Sequence, residues 1–312
     1  MTNPISKNLI VVCGPTASGK TRLGVQIALR YNGEIISCDS RQVYRGMDIG
    51  TGKDLLEYTV GSVTVSRHLI DIADPAEVYT VYNFKKDFYR AFGEITRRNK
   101  LPVVVGGTGL YLESVLRNYD IPAIPEDKRL RDELMTRDKQ SLKTELARRA
   151  PDLHLSTDIK SKKRIVRGLE IAEHRNPAIP HEQKQAYPDL RPVVLGVTWD
   201  RQRLKDRINE RLTARFQQGM VDEVKRLLET GISAERLSMF GMEYRHIARF
   251  IAGTVGFDEM VLALRHDIEQ LSKRQSTYFR GMERRGVPVQ WVSDADLEQA
   301  LQILGNYVFE SS

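Results

Sequence analysis

The stretch Gly14-Pro-Thr-Ala-Ser-Gly-Lys-Thr21 constrains the chain more than any other. It follows an apolar run, Leu9-Ile-Val-Val-Cys13, and opens onto Arg22-Leu-Gly-Val-Gln-Ile-Ala-Leu29. The order is strand, glycine turn, helix start, and the spacing Gly14-x4-Gly19-Lys20-Thr21 is the P-loop pattern. Glycine lets the backbone curl until successive N–H groups point at one phosphate. The helix N-terminus adds the positive end of its dipole. Lys20 brings a full charge, and a hydroxyl in the place of Thr21 can hold Mg²⁺. Gly14, Pro15, Thr16, Ala17, Ser18, Gly19, Lys20 and Thr21 are therefore the expected polyphosphate site, with Thr21 as its metal-binding residue. Which polyphosphate binds, and what is done to it, has to come from the rest of the chain.

Two further strand ends point to the same place. Glu34-Ile-Ile-Ser-Cys38 reads as a strand that ends on Asp39, and Leu101-Pro-Val-Val-Val105 as one that ends on Gly106-Gly107, with Thr108 just beyond. In a doubly wound sheet, ligands bind outside the C-terminal ends of the strands. A phosphate cradle, a carboxylate and a hydroxyl are thus expected at one crevice. Asp39 is expected to face that crevice; a helix cap or a Mg²⁺-linked carboxylate is the alternative. Residues 40–53 hold three glycines and mixed charge and read as a functional loop. Phe84, Phe88, Phe92 and Ile95 give Tyr82 to Arg98 a helical period.

Pro192 to Thr198 is another buried strand, and Asp200 is placed to cap a long helix. Leu204, Ile208, Leu212 and Phe216 form the buried stripe of that helix. Arg203, Arg207 and Arg211 run beside it, and at least one should reach the phosphate edge. Phe240-Gly-Met-Glu-Tyr-Arg245 reads as a glycine loop, Phe257 to Arg285 as a helix and Val287 to Val292 as a last strand. Lys273, Arg280 and Arg284 share one face of the late helix, with Tyr278 and Phe279 between them. That suits phosphate contacts and base stacking, or else core aromatics under a solvated basic face.

Between residues 122 and 190 the character changes. Pro122 and Pro125 mark a linker, Glu126 to Ala150 is a charged helical stretch, and Pro151 breaks it. Ile159 to Ala172 reads as a helix with five positive residues, Lys160, Lys162, Lys163, Arg164 and Arg167; residues 176–190 read as loop. The expected architecture is an α/β, P-loop core of mostly parallel sheet flanked by helices, residues 1–121 and 191–312, with a small all-helical insert at 122–190. The net charge of +7 favours a polyanionic partner. Only two cysteines occur, Cys13 and Cys38, both in expected core strands, which argues for a reducing compartment and against structural zinc. No signal-peptide profile and no apolar run near 18 residues is present, so a cytoplasmic protein with no membrane span is expected. A monomer is expected.

Taken in order, Gly14 to Thr21, Asp39-Ser-Arg-Gln-Val-Tyr44, Met47-Asp-Ile-Gly-Thr51, His68-Leu-Ile-Asp-Ile72 and Gly106-Gly-Thr-Gly-Leu-Tyr111 resemble the tRNA dimethylallyltransferase family. Arg164-Ile-Val-Arg-Gly-Leu-Glu170, Arg207-Ile-Asn-Glu-Arg211 and Lys273-Arg-Gln275 extend the likeness, which runs from about residue 8 to 292. The resemblance implies transfer of a dimethylallyl group from its diphosphate to N6 of the adenosine just 3′ of a tRNA anticodon, position 37. The P-loop would hold the prenyl diphosphate rather than ATP, with Mg²⁺ as cofactor. Asp39 would act as base, and Thr108 and Arg207 would bind and orient the diphosphate. The anticodon arm would meet Asp39, Ser40, Arg41, Gln42, Lys163, Arg164, Arg167, Tyr244, Arg245, Lys273, Arg280 and Arg284. Two departures stand out. Gly241-Met-Glu-Tyr-Arg245 replaces the family's Gly-x-Gly-Tyr-Arg, and Ser156-Thr157 stands where many relatives have Pro-Asn. A prenyltransferase of free adenine nucleotides, a P-loop small-molecule kinase and a non-catalytic P-loop RNA-binding protein remain open on the residues alone.

Overall fold

The computed structural model describes residues 6–121, 124, 126–156, 159–174 and 187–309. β1 (Ser6–Lys7) leads into β2 (Leu9–Cys13), every residue of which is buried. α1 (Lys20–Arg30) follows the glycine loop, and β3 (Gly33–Cys38) comes next. A 3₁₀ turn (Leu55–Tyr58), the antiparallel pair β4 (Thr59–Val60) and β5 (Val63–Thr64), and β6 (Arg67–His68) precede α2 (Val81–Arg97). A capping box between Thr80 and Asn83 starts α2, which buries Phe84, Phe88, Phe92 and Ile95. β7 (Leu101–Gly106) and α3 (Gly109–Leu116) complete the first half of the core.

The helices α4 (Lys128–Thr136), α5 (Lys139–Arg149), α6 (Pro151–Ser156) and α7 (Lys162–His174) follow. The chain then returns through β8 (Pro192–Thr198), α8 (Arg201–Gln217), α9 (Met220–Glu229), α10 (Ala234–Met239) and α11 (Met242–Ile251). It ends with α12 (Phe257–Arg284), β9 (Gln290–Ser293), α13 (Leu297–Leu304) and β10 (Val308–Phe309), which pairs with β1.

Six strands form one sheet in the order β6-β3-β7-β2-β8-β9, with every neighbouring pair parallel. Strands covered on both faces read as continuous apolar runs, which is why β2, β7 and β8 are Leu-, Ile- and Val-rich throughout. Register levels their ends: Cys13 and Cys38 both lie opposite Gly106. From β2 the chain crosses to β3, returns to fill β7 between them, then crosses β2 to β8. That reversal opens a crevice above the ends of β2 and β7. The fold is thus the expected α/β sheet, mostly parallel and flanked by helices.

Two compact units make up the chain, Met1–Tyr119 with Pro188–Ser312, and Asp120–Tyr187. Leu134, Leu142, Leu146, Ile165, Val166 and Leu169 form the core of the second. Within it, the charged helical stretch expected from Glu126 to Ala150 is two helices, because Asp138 caps a fresh start by accepting from Ser141 N. Pro151 opens α6 rather than only breaking a helix, since the first helical turn needs no N–H from it. Most of the loop expected at 176–190, and Thr157, Pro122 and Pro125, lie outside the described residues. In the core, the last strand begins at Gln290, not Val287. Among the described residues no helix is long and apolar enough to cross a membrane.

The closeness of β3 and β7 rests on Gly106, where an added Cβ would lie 2.1 Å from the Cys38 carbonyl oxygen. The neighbour is backbone, so the strands must part. Gly106→Ala should lower stability by about 1–3 kcal/mol, the usual cost of overpacking a core. A urea denaturation series checks this; an unshifted midpoint would mean that the strand ends separate freely.

Candidate active site

The loop from Gly14 to Thr21 achieves its curl with two residues in left-handed conformation, Ala17 (φ 60°) and Gly19 (φ 79°). Only Gly19 adopts this without steric cost. Three side chains from distant elements tether the loop. Trp199 donates from its indole to Ser18 O (2.9 Å), Arg207 Nε donates to Ala17 O (2.9 Å), and Gln275 Oε1 accepts from Thr16 N (2.8 Å). Gln275 also donates to Gly107 O at 3.1 Å, so one amide joins the loop to the end of β7. Trp199 lies under the Arg207 guanidinium, 4.4 Å from ring centre to Cζ, which fixes the arginine over the loop.

Beside the loop lies a cavity of about 330 Å³, lined by Thr16 through Thr21, Asp39, Arg41, Gln42, Asp54, Glu57 and the α8 residues Arg207, Glu210, Arg211 and Arg215, among others. Lys20, Arg41, Arg207, Arg211 and Arg215 place five cations there, a charge set that suits a polyanion. Lys20 donates to Pro15 O at 3.1 Å. Burial, and after it the charge of Arg211, bring its ammonium down to about 8. Arg211 ion-pairs with Asp54 and reaches Thr16 Oγ1 at 3.5 Å. Although burial works the other way, Arg211 and Arg215 hold Asp54 below its ordinary range. Burial raises Glu57, with Asp54 adding to the effect.

Asp39 ends β3 in an Asx turn, with Oδ1 accepting from Arg41 N at 2.9 Å. Among the described residues nothing donates to its Oδ2. Thr108 braces the same turn: its hydroxyl accepts from Ser40 N at 3.0 Å, and its own N–H donates to Cys38 O. Thr108 is therefore a support for Asp39 and does not itself line the cavity. Gly14 and Pro15 do not line the cavity, while Thr16 to Thr21 do.

The loop after Asp39 is irregular but not loose. Glu223 of α9, 3% exposed, accepts from the N–H groups of Asp48, Ile49 and Gly50 at 2.8–3.0 Å and from the Tyr244 hydroxyl at 2.8 Å. Lys53 is buried as well, donating to Tyr44 O at 2.7 Å and paired with Asp48 and Asp71. Tyr244 needs correcting as an expected RNA contact. Gly241 starts α11 rather than a loop, which turns Tyr244 inward, fully buried, where it holds Glu223. Glu243, the departure from the family's glycine, is 3% exposed and pairs with Arg41 at 2.6 Å.

The other expected RNA contacts fall in three places. Arg41 and Gln42 line the cavity, and Gln42 donates to Gly52 O at 3.0 Å; Ser40 lies between them and Thr108. Lys273, Arg280 and Arg284 are exposed on α12, with Arg245 exposed on α11 and paired to Asp267. Lys273 and Arg280 rim a second hollow of about 340 Å³ with Arg201 and Lys205, floored by Val197, Trp199, Leu204 and Phe279. Phe279 is core, and Tyr278 donates to Glu113, so these aromatics are not free to stack on bases. In the second unit Lys163 and Arg164 are exposed, and Arg167 is held by Glu170 and Ile124 O. Cys13 and Cys38 are buried free thiols, Cys13 pushed up to about 12 by burial, so neither serves as a nucleophile.

Sequence reasoning missed Trp199, Asp54, Arg215 and Gln275 as parts of the site. Gln275 sat inside a quoted motif, and Arg215 continues the Arg203, Arg207, Arg211 spacing by one turn, so both had a signal.

Residues 42–282 match the family model described as IPP transferase. The tRNA dimethylallyltransferase 1 of Geotalea daltonii is 48% identical over 307 residues, spanning 98% of this chain and 97% of its own. That of Geotalea uraniireducens is 46% identical over 302 residues, with 96% and 98% covered. Among solved structures, the full-length tRNA isopentenylpyrophosphate transferase of Bacillus halodurans is 33% identical, covers 96% of this chain and 95% of its own, and superposes with a TM-score of 0.68. A eukaryotic dimethylallyltransferase acting on tRNA, 23% identical, covers 97% and 80% with a TM-score of 0.76 and bears on the fold alone.

The position of Lys20 makes anion binding pH-dependent with a definite sign. Its ammonium is depressed to about 8 in the free protein, and a bound anion would raise it again. Below pH 8 the proton is already present; above it, binding must take one up. The contribution of Lys20 to the affinity for inorganic diphosphate should therefore be level below about pH 8 and weaken above it, by up to about tenfold per pH unit. Lys20→Arg, whose charge does not titrate, should lose that extra slope in titration calorimetry; identical profiles for the two proteins would contradict the assignment.

Proposed function

The chain belongs to the IPP transferase family, and on that premise we propose that it transfers a dimethylallyl group from dimethylallyl diphosphate to N6 of the adenosine 3′ of a tRNA anticodon. The observation that carries this reading is the sharing of one cavity by the curled loop, five cations and the Asp39 carboxylate.

The donor's diphosphate sits on the N–H groups of residues 17–21, with Lys20 and Arg207 neutralising its charge. When the allylic C1–O bond breaks, the electron pair leaves with the diphosphate. The cations therefore stabilise the transition state more than the ground state. The N6 lone pair of the adenosine forms the new C1–N bond, and Asp39 takes the proton that N6 loses. Thr108 and the Arg41 N–H hold Asp39 at the end of β3 for that step. An adenine stacked in its loop cannot reach such a cavity, so the base enters extruded.

Among the described residues no group of three or more His, Cys, Asp or Glu could hold a metal. Mg²⁺ at a P-loop does not need one, because a single hydroxyl, substrate phosphate oxygens and water complete its shell. Thr21 lines the cavity and fits that role. Mg²⁺ there would supply further charge against the departing diphosphate. The anticodon arm meets Lys163, Arg164 and Arg167 of the helical unit, and Arg245, Lys273, Arg280 and Arg284 of the core, through its phosphates.

Incubation with labelled dimethylallyl diphosphate, Mg²⁺ and unmodified tRNA should put label on adenine N6 and release diphosphate in equal amount. Phosphate transfer from ATP, with no label in RNA, would instead make the protein a kinase. The affinity for tRNA should fall steeply with salt, and its log–log slope should drop by about 0.7–0.9 for each phosphate-contacting residue neutralised. A slope unchanged in a Lys163, Arg164, Arg167 triple variant would leave those residues as a solvated face.

A further inference from the structure

Three arginines stand one turn apart on the cavity side of α8: Arg207, Arg211 and Arg215. At 1.5 Å per residue the first and last Cα atoms are about 12 Å apart, more than one diphosphate spans. Arg207 belongs to the loop by its bond to Ala17 O. Arg215 makes no bond to the loop. Its side chain is 9% exposed, and its Nε, buried, has no hydrogen-bond partner among the described residues. Its ion pair is to Asp54 at 3.8 Å, a carboxylate that Arg211 already holds. A buried cation left this short of partners is costly to fold.

The surrounding chain is shaped to admit it. A Cβ at Gly52 would lie 1.7 Å from Arg215 Nη2, and Gly52 has φ +67°, so glycine alone lets the guanidinium lie against this loop. Arg41 and Glu243 are close enough for their charges to act on Arg215. Glu243, by pairing with Arg41, takes up one of the cations that line the cavity with Asp39, beside Arg211 and Arg215.

We propose that Arg211 and Arg215 form a second phosphate subsite, separate from the glycine loop, that receives a backbone phosphate of the RNA beside the extruded adenosine. Asp54 is the counterion that this phosphate displaces. The inference rests on the RNA-prenylation reading above. Position favours the RNA over the donor as the source of the phosphate. The donor's two phosphates are taken up by the loop, Lys20 and Arg207, whereas Arg215 lies two turns along α8 toward the Arg41–Glu243 pair.

Arg215→Met keeps the unbranched stem of the side chain and replaces the buried guanidinium by an apolar end, while Asp54 retains Arg211 as its partner. Circular dichroism and the melting curve confirm that the variant folds. An anticodon stem-loop should bind it about tenfold more weakly, with a log–log salt slope smaller by about 0.7–0.9, while affinity for dimethylallyl diphosphate stays within about twofold. Asp54→Asn, which frees both arginines, should bind the stem-loop more tightly than the wild type, by a gain that is lost when Arg215→Met is added. A stem-loop with a methylphosphonate next to the adenosine should cost the wild type as much as Arg215→Met does, and cost the variant nothing more. Loss of donor affinity with RNA binding intact would assign the arginines to the diphosphate and overturn the proposal. Unchanged affinity for both would leave Arg215 a structural residue and overturn it equally. A wild type that does not prenylate the stem-loop overturns the prenylation reading itself, an outcome separate from either.

Discussion

The site depends on a backbone held against its own preference. Ala17 in the left-handed region costs about 1–2 kcal/mol, because its Cβ crowds the carbonyl oxygen. The bonds from Trp199, Arg207 and Gln275 each return about 1 kcal/mol, so together they outweigh that cost and fix one conformation. These tethers come from three different elements that the sheet brings together: the end of β8, α8 and α12. The loop's geometry is thus a property of the whole core rather than of eight residues. Bound anion adds contacts to N–H groups that are already aimed, which is what preorganisation contributes to catalysis.

Electrostatics then divides the labour. Five cations around one cavity repel one another, and Arg211 adds to the burial that depresses Lys20. Asp54 and Glu243 relieve the repulsion by pairing with Arg211 and Arg41. Both carboxylates also select which cations remain available to an incoming polyanion. Asp39 stays apart from these pairs, with one oxygen fixed by a backbone N–H and no donor to the other among the described residues. A carboxylate so placed can accept a proton while Lys20 and Arg207 face the leaving group. The Glu223 carboxylate performs a structural version of the same task. By gathering three N–H groups and a tyrosine hydroxyl it lets residues 47–53 be irregular and still rigid.

Much of the fold was legible because burial on both faces writes strands as unbroken apolar runs; β2, β7 and β8 needed nothing more. Asp39 could be placed beside the loop from the strand-end rule alone. The missing parts share a cause. Thr16 and Gln275 are 259 residues apart, Ser18 and Trp199 181, and Asp54 and Arg211 157. Local periodicity carries no trace of such pairs. Tyr244 misled for a different reason: a glycine before an aromatic looks like a loop, whereas Gly241 here is the start of a helix that turns the ring inward. Phe279 and Tyr278 misled likewise, since basic spacing on α12 says which face is wet but not which aromatics lie beneath it.

On the proposed reading, Asp39 takes the proton from N6 while the loop holds the diphosphate, two tasks in one cavity. The most direct measurement is a single-turnover rate for Asp39→Asn with saturating tRNA, set beside its donor affinity. Loss of the base should slow transfer by about 10²–10⁴ while donor binding is unchanged. Donor binding weakened in step with the rate, and partly restored by added Mg²⁺, would make Asp39 a metal partner; a rate near that of the wild type would remove it from the chemistry.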